Sequence, residues 1–145
     1  MTVVRAYLGA RWRGTPHFAE LEDAGPDCPK LAPLRKTPEM ARDAVYAGDF
    51  GALGASMIIN TEAQGQLNPA LVSEDAAQII DIARRNGALG WKVNGAGGEG
   101  GSITLLCGEV SSQKRVLIRQ IEEANSLFKN IPIYLSRFGL RIWNA

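Results

Sequence analysis

The chain has 145 residues, 46% of them hydrophobic, and a formal net charge of +1. This is enough apolar material for one domain with its own core, while the near-neutral balance gives no broad basic field for nucleic acid and no acidic tail. No apolar run approaches the ~20 residues of a membrane span, and the two cysteines, Cys28 and Cys107, form neither a disulfide framework nor a zinc spacing.

In chain order, Thr2 to Leu8 reads as a strand. Residues 10–34 read as an irregular loop, because Pro16, Pro26, Pro29 and Pro33 interrupt any regular pattern; a short helix from Pro16 to Asp23 is the one element inside it. Thr37-Pro38 is expected to be the N-cap and first residue of a helix that Gly48 ends. Asp49 caps the next helix, with Phe50, Leu53, Met57 and Ile58 as its apolar stripe and Asn68-Pro69 as its break. Ser73 opens a third helix. Glu74 and Asp75 stand at its positive end, Arg84 and Arg85 at its negative end, and Ala76, Ile79, Ile80 and Ala83 face inward until Gly87 stops it. Strands are expected on either side of a glycine-rich run, within 88–94 and from residue 102 to 107. Ser112 then opens a fourth helix with Leu117, Ile121 and Ala124 inward, and Ile131 to Leu135 and Leu140 to Trp143 close the chain as β structure. Strand, helices, strand, strand, helix, strand is the order of an α+β, ferredoxin-like split βαβ fold, with an antiparallel sheet and helices on one face.

The run Gly95-Ala96-Gly97-Gly98-Glu99-Gly100-Gly101 holds five glycines in seven residues. Such a segment cannot be helix or strand interior, because each glycine loses backbone entropy there and packs nothing. Gly95, Gly97 and Gly100 match G-x-G-x-x-G, but a dinucleotide fingerprint needs a helix to follow, and here Ile103, Thr104, Leu105 and Leu106 follow. Gly101 also stands where a Walker A loop has lysine.

With its flanks, Gly87-Ala88-Leu89-Gly90-Trp91-Lys92-Val93-Asn94 and then the run itself, this segment resembles the third motif of the GHMP small-molecule kinases, a pattern like "GA-GAKLTGAGGGG". Tyr46 to Gly54 resembles the "AGD-LEALGELM" helix junction of that family. The opening Val3 to Gly9 and the closing Phe138 to Trp143 resemble its sugar-kinase branch, which includes heptose-phosphate kinases. The resemblance spans residues 1–145 and is weakest from Arg11 to Leu34. It implies a kinase C-terminal domain of ferredoxin-like fold. In the intact enzyme this domain would act with ATP and Mg²⁺ on a sugar or sugar phosphate. The family's "PxxxGLGSSAA" nucleotide loop and its catalytic aspartate belong to an N-terminal half that this sequence does not contain. The isolated chain is therefore expected to be inactive, to carry no catalytic residue or metal ligand, to hold no cofactor tightly, and to need that half in cis or in trans.

The site residues expected under this resemblance are Gly95, Ala96, Gly97, Gly98, Glu99, Gly100 and Gly101 as a substrate- or phosphate-contacting loop, with Arg11, Arg13 and Lys92 as further substrate contacts. Backbone N–H groups of such a loop can converge on an anion. Glu99 departs from the family's glycine. A carboxylate about 4 Å from a phosphate is repelled by ~4 kcal/mol at an effective dielectric of 20, so either it points away or the loop meets sugar hydroxyls or a metal. The plainer reading is that the glycines make a tight hairpin. Arg11-Trp12-Arg13 could hold a sugar phosphate or form a solvated loop, and Asn60 and Glu62 could reach a substrate or lie on an exposed helix face. His17, the single histidine, has no evident partner. Lys92, between Trp91 and Val93, should point away from both. A reducing cytoplasm suits the cysteine usage, and Arg5, Arg11 and Arg13 break any signal-peptide core. The rival reading is a stand-alone ligand-binding or dimerisation module with no catalysis, and self-association is open under either reading.

Overall fold

The computed structural model describes residues 27–95 and 101–133 in full and residues 2–7 by their backbone course. Eight principal elements follow one another: strand β1 (Thr2–Tyr7), helices α1 (Ala32–Ala47), α2 (Phe50–Leu67) and α3 (Glu74–Arg85), strands β2 (Gly90–Val93) and β3 (Ser102–Cys107), helix α4 (Ser111–Ala124) and strand β4 (Lys129–Pro132). The sheet order is β2-β3-β1-β4, and all neighbours are antiparallel. This is the α+β split βαβ arrangement expected from the sequence.

The helix boundaries follow from identifiable caps. Gly48 ends α1 in the left-handed region at φ 67°, and Asp49 Oδ1 accepts from Ala52 N at 2.8 Å to start α2. Asn68 ends α2 before a short 3₁₀ turn at Pro69–Leu71, and Ser73 Oγ accepts from Ala76 N at 3.2 Å at the head of α3.

Some boundaries differ from expectation. Helix α1 begins at Ala32, after a 3₁₀ turn at Pro29–Leu31, so Thr37 is not an N-cap and Pro38 lies inside the helix. Pro38 has no N–H for the Leu34 carbonyl; the Thr37 hydroxyl donates to that carbonyl instead, at 3.4 Å, and accepts in turn from Asn60 Nδ2 of α2 at 2.6 Å. Helix α4 starts one residue earlier than Ser112, and its Ala124 is exposed. Strand β4 begins at Lys129, ahead of the expected Ile131. The expected helix at Pro16–Asp23 and the strand at Leu140–Trp143 lie outside the described residues.

The main core joins α3, α4 and one sheet face. Ile79, Ala83, Ile103, Leu105, Leu117, Ile121 and Phe128 are almost or fully inaccessible, with Trp91, Val93 and Cys107 beside them. Trp91 also lies under the Arg84 guanidinium, 5.2 Å from the ring centre.

Helix α2 departs from the expected apolar stripe. Its buried residues are Gly54, Ser56, Thr61 and Ala63, while Phe50 is 39% exposed. The reason is its position along the outer edge of β2, where backbone meets backbone. A Cβ on Gly54 would lie 2.1 Å from the Leu89 carbonyl oxygen, and one on Gly90 would lie 2.4 Å from Gly54 Cα. One and a half to two turns on, the Thr61 hydroxyl lies 3.2 Å from the Trp91 carbonyl and accepts from Val93 N at 3.3 Å. A helix side chain thus satisfies the outward-facing groups of an end strand.

Candidate functional site

The glycine-rich segment connects β2 to β3, as the sequence suggests, and its neck is fastened by side chains. Asn94 N donates to Ser102 O at 2.9 Å. The Asn94 amide donates to Ser102 Oγ at 3.1 Å, and its oxygen accepts from Thr104 Oγ1 at 3.1 Å. The two described ends of the run, Gly95 and Gly101, have φ of 67° and 98°. Both values lie where a β-carbon is strained, which explains glycine at these two positions. Ala96, Gly97, Gly98, Glu99 and Gly100 lie outside the described residues, as do Arg11, Arg13, His17, Trp12 and Trp143.

Lys92 projects from the face of β2 opposite Trp91 and Val93, as strand alternation requires. Its ammonium donates to Gln64 Oε1 at 2.9 Å and to the carbonyl of Val93. The other end of the same amide, Gln64 Nε2, donates to Gly95 O at 2.9 Å. Gln64 therefore ties the ammonium to the first residue of the run. Burial pulls the Lys92 pKa below its ordinary 10.5, because a charged amine loses hydration there. The ion pairs among the described residues are Arg42–Asp43, Arg85–Asp81 and Arg119–Glu123, all exposed, and none includes Lys92.

Geometry explains why these groups meet. Gly54, Thr61 and Gln64 lie on one stripe of α2 and touch Gly90, Val93 and Gly95 in the same order. From Gly54 to Gln64 the helix rises about 15 Å, and from Gly90 to Gly95 an extended chain covers about 16 Å. The two lengths match, so a close contact at one end carries Gln64 to the loop at the other. Asn60 is engaged with Thr37 and serves the α1–α2 contact, whereas Glu62 is exposed.

Sequence reasoning did not single out Gln64, Ser102 or Thr104. The signal for the last two was present: Ser102 and Thr104 alternate with apolar residues along β3, and Thr104 is paired with Lys92 across the ladder. Gln64 had no such signal, because its role depends on how α2 sits against β2. Chemically, the assembled group offers one ammonium and several neutral donors beside Gly95, the first residue of the glycine-rich run. Among the described residues no three of His, Cys, Asp and Glu gather as metal ligands. No described helix is long and apolar enough to cross a membrane.

The fold has counterparts among solved structures. Mevalonate kinase from L. major, in complex with R-mevalonate, matches with a TM-score of 0.69 at 19% identity, covering 90% of this chain and 42% of that one. The Lin0012 protein from Listeria innocua matches with a TM-score of 0.77 at 16% identity, covering 94% and 39%. The Methanococcus jannaschii mevalonate kinase matches with a TM-score of 0.65 at 18% identity, covering 90% and 38%. At these identities the likeness is one of fold, and this chain spans about two-fifths of the length of each. A search of curated proteins gives no match. The family described as "GHMP kinases C terminal" matches residues 41–126, more than half of the chain, from the end of α1 to the turn before β4. The chain belongs to the GHMP kinase C-terminal family.

Proposed function

We propose that this chain acts as the C-terminal part of an ATP-dependent kinase that phosphorylates a hydroxyl of a sugar or sugar phosphate. The observation that carries this reading is the glycine-rich connection between β2 and β3, rooted on Lys92 and Gln64, in a chain of the GHMP kinase C-terminal family. Phosphoryl transfer depends mainly on positioning and on neutralising charge. A loop of backbone amides with an ammonium at its root suits both tasks. The sugar assignment rests on the likeness of the segments Val3 to Gly9 and Phe138 to Trp143 to the sugar-kinase branch.

The described residues gather no carboxylate set for Mg²⁺. They do not form a magnesium site, and no step is assigned to the ion here. In this reading the nucleotide loop, the base and the metal ligands belong to the N-terminal half, joined to this chain or supplied by a partner, in the cytoplasm. Glu99 then meets sugar hydroxyls in preference to phosphate, since a carboxylate aimed at phosphate opposes binding.

A coupled ADP-release assay across sugars and sugar phosphates tests the proposal. The chain alone should give no turnover. The chain joined to or mixed with an N-terminal half should reach on the order of 1–100 s⁻¹. Turnover near 1 s⁻¹ by the chain alone would overturn its dependence on that half. A joined enzyme that phosphorylates only acceptors other than sugars would overturn the substrate class.

A further inference from the structure

The chain holds two asparagine–glycine steps, Asn86-Gly87 at the end of α3 and Asn94-Gly95 at the end of β2. An asparagine followed by glycine is open to attack by the next backbone nitrogen on its own side-chain Cγ, because glycine has no β-carbon to obstruct the five-membered ring. The rate then depends on whether that nitrogen is free of a hydrogen bond, whether a donor meets the charge that develops on the amide oxygen, and whether the NH₂ group can leave.

The fold treats the two steps in opposite ways. At Asn86 both amide hydrogens are held, by the Ile82 carbonyl at 2.8 Å and by Gln120 Oε1 at 2.7 Å. The attacking nitrogen, Gly87 N, donates to Arg84 O at 3.2 Å, and no donor among the described residues reaches Asn86 Oδ1. At Asn94 the amide oxygen accepts from the Thr104 hydroxyl at 3.1 Å, so a donor is already in place for an oxyanion. The NH₂ group lies on Ser102 Oγ at 3.1 Å, a hydroxyl that can pass a proton to the departing nitrogen. No acceptor among the described residues takes the Gly95 N–H, and Gly95 is exposed to the water that the reaction consumes.

We propose that Asn94-Gly95 is a self-modification site, where the folded chain converts the Asn94 carboxamide to a carboxylate that pairs with Lys92, while Asn86-Gly87 is preserved. Gly95 N loses its proton and bonds to Asn94 Cγ. The Cγ–Nδ2 bond breaks, and the nitrogen takes up one proton and leaves as ammonia. Water then opens the ring: cleavage between Gly95 N and Cγ gives aspartate, and cleavage between Gly95 N and the Asn94 main-chain carbonyl carbon gives isoaspartate. Nothing is oxidised or reduced. Isoaspartate also lengthens the main chain by one carbon where β2 enters the glycine-rich connection. The charge arrives at a prepared place. Thr104 stands opposite Lys92 in the ladder and bonds Asn94, so the three share a face. Among the described residues Lys92 has no ion-pair partner, and the Ser102 and Thr104 hydroxyls can both donate to a carboxylate. This inference stands apart from the kinase reading, and its test needs no turnover.

The folded chain is incubated at mildly alkaline pH, and mass spectrometry of its peptides follows the asparagine, aspartate and isoaspartate forms at both steps over time. Asn94 should convert at least about tenfold faster than Asn86. In concentrated urea the two rates should become similar, because the protecting and activating contacts are gone. Thr104→Val should slow conversion at Asn94 several-fold. Gln120→Ala, a change at an exposed residue, should speed conversion at Asn86 and leave Asn94 unaffected. Asn94→Asp should raise the Lys92 pKa in side-chain NMR, since an opposite charge favours the ammonium. Equal rates at the two steps in the folded chain, or conversion of Asn94 only after unfolding, would overturn the proposal. So would a faster Asn94 in Thr104→Val, or a Lys92 signal that Asn94→Asp does not move.

Discussion

Gly54 and Gly90 bring α2 and β2 into backbone contact, and neither position has room for a methyl group. Gly54→Ala should therefore destabilise the chain by about 2–3 kcal/mol through overpacking against the Leu89 carbonyl. Gly65, on the same helix, provides the control. A Cβ there meets only Val72 Cγ2 at an ordinary 3.5 Å, so Gly65→Ala should stabilise by about 0.5–1 kcal/mol, by limiting the unfolded chain. Urea denaturation of the two variants should give opposite signs; equal signs would rule out the close contact as the cause. Lys92 gives a second residue-scale prediction. Its folded pKa lies below 10.5, so between those two values the unfolded chain binds more protons, and stability rises with pH across that window. Cys107 opposes this. Burial raises its thiol pKa above 9.0, with Lys114 pulling partly the other way, so its contribution falls as pH rises past 9.0. The stability of the parent chain minus that of Lys92→Met should grow as pH rises from the lowered folded pKa toward 10.5, while Cys107→Ala removes the opposing fall. A flat difference would show that the ammonium is as well hydrated folded as unfolded.

At the scale of elements, the informative one is α2. Its length and ends were legible, because Asp49 and Asn68-Pro69 carry capping and breaking chemistry in their own side chains. Its inward face was not. Apolar periodicity assumes that a helix buries hydrocarbon against hydrocarbon, whereas this helix covers a strand edge and needs small or hydrogen-bonding residues there. Helix α3 shows the contrary case: packed on the sheet face, it buries Ala76, Ile79, Ile80 and Ala83 as its periodicity requires. Pro38 misled for a related reason. Its missing N–H is answered by Thr37, a repair that a single sequence does not announce. The glycine run was legible as a strand-to-strand connection, but the hold on its neck from Gln64 joins residues 31 apart. The same element yields a prediction. Thr61→Val keeps the shape of the side chain and removes the hydroxyl, which leaves the Trp91 carbonyl and the Val93 N–H unpaired in a buried position. A loss of about 1–3 kcal/mol is expected by thermal or urea unfolding, with Thr61→Ser milder. A neutral Thr61→Val would mean that water or a shifted strand replaces the bond.

For the whole molecule, β1 is the piece that joins the rest. It pairs with β3 through six positions and with β4 through four, and so stands between strands that lie about 100 and about 125 residues further along the chain. Removing residues 1–8 should leave the β2–β3 hairpin without its central neighbour and β4 without any partner in the described sheet. Circular dichroism should then show loss of cooperative unfolding, and Trp91 fluorescence should move toward that of exposed indole. A truncated chain that still unfolds in one sharp transition would count against this architecture. The long separation also implies slow folding, since β1 cannot pair until loops of this size have closed.

The bond from Val93 N to Thr61 Oγ1 makes one backbone amide a reporter of events elsewhere. Amides inside the ladder exchange with deuterated solvent when strands part, but the Val93 amide faces away from β3 and is shielded by a helix side chain. Its exchange rate should therefore follow the departure of α2 from the sheet, and the amides of β3 should keep a slower clock. Because Gln64 lies three residues beyond Thr61 on the same stripe, any ligand that braces the root of the glycine connection should slow deuterium uptake at Val93 without touching it.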